Sequence, residues 1–282
     1  MLSIADFLHD LTNPSLSFLP RALLVSLISA IVCAVVGTHV VLRGMAFIGD
    51  AVAHAVFPGI AVAFALQFSL LAGGALAGAA VAVLIAVFSQ RRRIKEDTVI
   101  GIFFAASFAL GIILISRVQG YTASLTNVLF GSITGVTERD IMVAAVVGAS
   151  ISGLLFALTP QLTAVALDRE TARAMNLPVF ALDLVLYLAV TAAVVISVRT
   201  IGNILVLALL ITPAAAARLL TDHLHTMTAL AAAIGAVSAV VGIYLSWALD
   251  LPTGATIVLS VTAVFLAAWL IAPARHNRKG TP

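Results

Sequence analysis

Long apolar runs separated by short polar breaks fill the chain from residue 21 to residue 272. A helix needs about 20 consecutive apolar residues to cross the hydrocarbon core of a bilayer. Nine runs reach roughly that length: 21–42, 45–66, 69–89, 98–116, 141–159, 179–198, 201–220, 226–248 and 254–272. Merging the shortest hairpins would reduce them to eight. The longest breaks, 117–140 and 160–178, leave no room for a soluble domain. The pattern predicts an all-α fold, a polytopic transmembrane helix bundle forming one domain over 1–282. A segment, 1–20, precedes the bundle and a tail, 273–282, follows it.

Composition agrees with this pattern. Hydrophobic residues make up 62% of the 282 and charged residues 10%, against about 25% charged in a soluble domain. Most of the chain is therefore solvated by lipid or by neighbouring helices. A net charge of +3 is too small to argue for nucleic acid. The single cysteine, Cys33, lies in an apolar run and cannot form a disulfide within one chain. The first 20 residues carry Asp6 and Asp10 and no basic residue before Arg21. They lack the basic start of a secretory signal and are expected to be retained.

The basic residues set an expected orientation. Arg43, the cluster Arg91, Arg92, Arg93 and Lys95, then Arg169, Arg173, Arg218, Arg275, Arg278 and Lys279 fall on one side of a nine-span bundle. Arg21, Arg117, Arg139 and Arg199 fall on the other. The richer side is expected in the cytoplasm, with the C-terminus inside and the N-terminus outside. That arrangement needs an odd number of spans and so favours nine. Stretches such as AGGALAGAAVA, 72–82, suit helices that approach closely in lipid.

The second run, MAFIGDAVAHAVFPGIAVAFAL, contains Asp50 and His54. An ionisable side chain well inside a spanning segment costs about 2.5–3.5 kcal/mol on insertion scales, so something must offset it. The i, i+4 spacing places both side chains on one helix face. A carboxylate and an imidazole suit manganese, iron or zinc, but two ligands are half of a coordination shell. A second chain on a two-fold axis would supply the other half. Gly49 removes bulk beside Asp50, while Pro58 and Gly59 can kink the helix and free backbone carbonyls. From these residues alone, a metal site, a structural Asp–His hydrogen bond and a proton relay all remain open.

The stretch VVLRGMAFIGDAVAHAVFPGIAVAF resembles the zinc/manganese/iron permease family of ABC importers. The resemblance continues through RRRIKEDTVIGIFFAASFALGIILIS, NVLFGSITGV, LDRETARAMNLPV and IGNILVLALLITPAAAARLL, in the family's order. It implies a type II ABC importer-like permease in a prokaryotic cell membrane, paired with a second permease copy. It also implies cytoplasmic ATPase subunits, an extracytoplasmic metal-binding protein, and contact of Asp50 and His54 with the metal in transit. The metal would be cargo, with no cofactor permanently bound. RIKEDTVIGI looks more like the manganese branch than the zinc branch. Two positions depart from the family pattern. His39 stands where an aromatic or apolar residue is usual, either as a polar helix end or as an aid to metal release. Gly44 replaces a commonly larger or charged residue.

ATP hydrolysis is not expected of this chain, because neither lysine, Lys95 or Lys279, follows a glycine-rich turn. The segment LDRETARAMNLPVFALD, 167–183, is the candidate element for coupling to an ATPase. Asp168 can cap a short helix from Arg169 to Met175 that carries Glu170 and Arg173. Asn176 falls where a left-handed residue belongs, and Pro178 blocks continuation. His223 and His225 read as a solvated loop or an exit site. Pro213 interrupts a spanning helix, as packing or as a pathway hinge. The outer loop, 117–140, is a candidate landing surface for the binding protein. The expected function is an ATP-driven importer of divalent transition metal, manganese before zinc or iron. A chelate importer, a proton-coupled secondary transporter and an intramembrane enzyme are the rivals.

Overall fold

Backbone polar groups in lipid find no water, so each apolar run must satisfy them within a helix. The computed structural model describes residues 3–90, 94–117 and 135–276. The elements there are α1 (Ile4–Leu11), α2 (Phe18–Leu42), α3 (Ile48–Ala65), α4 (Leu70–Phe88), α5 (Glu96–Arg117) and α6 (Glu138–Ala157). They continue as α7 (Thr159–Leu167), α8 (Arg169–Ala174), α9 (Val179–Ile201), α10 (Asn203–Leu220), α11 (Leu224–Leu249) and α12 (Thr253–His276). Every predicted run is helical. Among the described residues, eight helices are long and apolar enough to cross a bilayer, and the stretch Leu205–Leu220 of α10 is a shorter apolar helix. Arg91, Arg92, Arg93, Arg278, Lys279 and the outer-loop residues 118–134 lie outside the described residues.

Burial grades the spans from the centre of the bundle outward. The apolar windows of α2, α3 and α9 are 67% buried, whereas those of α5, α6 and α12 are 22% buried and face outward. The central α2 packs against α6, α9, α10 and α11, and α3 packs against α4, α5 and α9. Two crossings are backbone-to-backbone. A side chain at Gly59 of α3 would strike the carbonyl of Gly73 in α4, and one at Gly37 of α2 would strike the carbonyl of Leu210 in α10.

Two helices, α1 and α7, belong neither to the nine runs nor to the short helix expected after Asp168. Helix α1 repeats Ile4, Phe7, Leu8 and Leu11 at helical spacing, and Ser3 and Asp6 cap each other's backbone at its start. Phe7 is buried against the rings of Tyr244 and Trp247, at 5.5 and 5.3 Å between centroids. Helix α7 occupies the first half of the 160–178 break and leads straight into α8.

Candidate metal-transit pair and coupling helix

Helix α3 starts later than its apolar run suggests. Gly44 adopts φ 68° and closes α2 with a left-handed residue. The Gly44 N–H donates to the Val41 carbonyl at 3.1 Å, and the Met45 N–H to the Val40 carbonyl at 3.2 Å. That pairing is a Schellman ending, which glycine adopts without steric cost. No neighbour crowds the Cβ position. A glycine at position 44 thus meets a turn requirement. Because this turn delays the helix to Ile48, Asp50 sits in the first turn of α3 rather than well inside it. A carboxylate there is favoured by the exposed N–H groups of the helix start.

His54 lies one turn further on, with Nε2 3.4 Å from Asp50 Oδ1. Its ring is walled by Phe57, Phe104 and Phe108, at centroid distances of 5.5, 5.1 and 5.0 Å. His54 Nδ1 is buried without a hydrogen-bond partner. Pro58, inside the same helix, lacks the N–H that would have bonded the His54 carbonyl. The donor set is one carboxylate, one imidazole and a released carbonyl, which suits manganese, iron or zinc. Among the described residues no cluster of three or more His, Cys, Asp or Glu side chains could hold a metal. The Asp50 and His54 side chains are 28% and 18% exposed on this single chain. They share their face with Phe47, whose ring is largely exposed.

The other sequence candidates lie elsewhere. His39 is buried near the end of α2 and joins no such cluster. Pro213 is buried in α10, where it packs near Gly235 of α11. His223 and His225 are exposed at the start of α11.

The short helix expected after Asp168 is α8. Asp168 Oδ1 accepts from the Glu170 N–H at 3.0 Å, and Oδ2 accepts from the Thr171 N–H at 3.2 Å and from the Thr171 hydroxyl. The Thr171 hydroxyl, followed by these two N–H groups, holds the Asp168 carboxyl below the usual carboxylate range. Met175 ends the helix, and Asn176 follows at φ 58°. The Asn176 and Leu177 N–H groups donate to the Arg173 and Ala172 carbonyls at 2.9 and 3.0 Å, another Schellman ending. Leu167, Glu170, Arg173 and Met175 are exposed around it.

Sequence reasoning missed Asp183. It lies inside the run 179–198, where the rule that singled out Asp50 should also have found it. Its side chain is fully buried. Arg43 Nη1 donates to Asp183 Oδ1 at 2.7 Å, and Gln90 Nε2 donates to Oδ2 at 3.2 Å. Arg169 pairs with the same Oδ2 and with Glu96 at the start of α5. Arg173 Nη2 donates to Gln90 Oε1 at 3.1 Å. The network therefore ties α8 to the ends of α2 and α4 and to the starts of α5 and α9.

Eight apolar helices long enough to cross a bilayer, with ionisable residues on one of them and a short capped helix between two others, define a multi-pass membrane protein. The chain belongs to the ABC 3 transport family, which it matches over residues 15–272. It is 41% identical to a manganese transport system membrane protein, MntC, of Listeria monocytogenes, over 91% of each chain. It is 38% identical to the MntC of Halalkalibacterium halodurans, covering 92% of this chain and 89% of that one. Among solved structures, it superposes on PsaBC from Streptococcus pneumoniae, determined in complex with Fab, with a TM-score of 0.85. That likeness has 35% identity and covers 98% of this chain and 99% of the other.

Proposed function

We propose that the chain is the membrane-spanning subunit of an ATP-driven importer of divalent transition-metal ions, manganese first and zinc or iron second. Asp50 and His54 hold the ion in transit. The observation that carries this reading is the pair's unspent coordination capacity. His54 Nδ1 is buried with no partner beside a carboxylate on the same face, and the described residues offer no third side-chain ligand. A second copy of the chain completes the shell, which accounts for ionisable groups left partly exposed on a spanning helix. Two modest half-sites suit transport, because an ion bound by a closed cage would not leave. The named functions of the manganese relatives support the choice of metal, since Asp and His alone admit several ions.

ATP is hydrolysed by separate cytoplasmic subunits that dock on α8. The exposed Leu167 and Met175 flanking that helix provide apolar contact, and its two caps provide rigidity. The end bearing Arg43, Arg169 and Arg173 faces the cytoplasm, following the excess of basic residues there. The N-terminal end of α2 faces outside, where a metal-binding protein delivers the ion.

Uptake of radioactive manganese and zinc by cells expressing the permease with its ATPase and binding protein tests the reading. Asp50→Asn and His54→Ala are expected to lower manganese uptake about 10- to 100-fold at normal membrane expression, as changes at a metal shell do. Unchanged uptake in both variants would return the pair to a structural role and reopen transport of a chelate.

A further inference from the structure

The buried network at the basic end plays no part in holding the ion, and Asp183 lies beneath the docking surface rather than on it. Both of its oxygens are engaged, Oδ1 by Arg43 and Oδ2 by Arg169 and Gln90. The two arginines belong to different working parts. Arg169 is the first residue of α8, and Arg43 is the last residue before the Gly44 turn that leads into α3. The Arg43 side chain is 4% exposed, yet its Nε and Nη2 have no hydrogen-bond partner.

A buried guanidinium with idle donors next to a shared carboxylate is costly as a static arrangement. It becomes useful if the carboxylate changes partners. We infer that Asp183 is a positioning residue that transmits movement of α8 to the Asp50–His54 helix by exchanging its arginines. The inference rests on the importer reading above. In the arrangement seen, Arg169 and Arg43 share the carboxylate and lock α8 to the α2–α3 turn. When the motor subunit draws α8 away, Arg169 leaves Oδ2. Arg43 then turns Nη2 onto the vacated oxygen and closes a bidentate pair, so the buried charge stays neutralised. That rotation pulls on the Gly44 turn, and α3 begins four residues later. A second arm runs through Glu96, the other partner of Arg169. Glu96 opens α5, which carries Phe104 and Phe108 of the wall around His54. Both arms converge on the transit pair.

The test uses the complete transporter in proteoliposomes, with manganese uptake and ATP hydrolysis measured on the same sample. In Asp183→Asn, hydrolysis continues and ions carried per ATP fall about 5- to 150-fold, the usual span of coupling between sites. Arg43→Lys is the second variant. It keeps the buried charge neutralised but lacks the planar two-nitrogen fork that would hold both oxygens in parallel. A structural role tolerates that change, whereas partner exchange does not, so the same loss of coupling is expected. Should Asp183→Asn fail to assemble, Arg43→Lys decides alone. Wild-type coupling in Arg43→Lys overturns the inference. So does a parallel fall of uptake and hydrolysis at constant ratio, which reads as docking. A wild-type complex that shows no ATP-dependent uptake sinks the importer reading itself.

Discussion

The chain places carboxylates in two kinds of surroundings. Asp50 sits at the start of α3, partly exposed, near one histidine whose second nitrogen has no partner. Asp183 is sealed in the protein and engaged by two arginines and a glutamine. Both lie in apolar runs and would cost similar amounts to insert alone. One is underused by its own chain and the other is saturated by it. Polar groups meant for an outside ligand keep lone pairs free, while polar groups that hold helices together spend theirs internally.

Removing each carboxylate should therefore produce opposite results. Asp183→Ala strands Arg43 in the interior and is expected to lower unfolding free energy by about 3–5 kcal/mol. Asp50→Ala leaves only the partly exposed His54 without its carboxylate and should change it by about 1 kcal/mol or less. Unfolding of the detergent-purified permease compares them directly. Equal losses would sink the distinction. A smaller effect belongs to α8. Asn176→Val places a branched side chain in the left-handed region, at a cost of about 1–2 kcal/mol, while Asn176→Gly leaves stability nearly unchanged. Protease sensitivity of the 167–178 segment reports both.

The smallest expected effect is on pH dependence. The Asp168 carboxyl is held below its ordinary value of 3.8 by the Thr171 and Glu170 donors. Its cap therefore contributes fully above the unfolded value and is lost as pH falls through the lower folded one. Acid should loosen α8 before the spans, visible as faster cleavage near residue 168. Asp168→Asn should flatten that response, since an amide caps without titrating. A wild-type profile in the asparagine variant would count against the cap as its source.

How much was legible follows from the range of each interaction. The nine runs are local statements about apolar length, and their helices begin and end within a few residues of the expected bounds. The α8 caps are also local, because Asp168 and Asn176 act on backbone within three residues. The Asp183 network was not legible, since Arg43 lies 140 positions away and Gln90 lies 93 away. Helix α1 was missed because eight residues fall below the length that marks a span, and its pairing of Phe7 with Tyr244 and Trp247 joins it to residues more than 200 positions away. The Asp50–His54 pair proposed to hold the ion was half legible. Its residues and shared face were readable, but its position in the first turn depends on how Gly44 ends the preceding helix.

The contact between Gly59 and Gly73 has a mechanical consequence. Where two backbones touch with no side chain between them, there is no layer of rotamers to slide or repack. Helices α3 and α4 therefore behave as a welded beam across that crossing. Any movement of α3 that shifts Asp50 and His54 therefore carries α4 with it, and the beam so formed is bounded by the Gly44 turn before α3 and the Ser89–Gln90 end of α4.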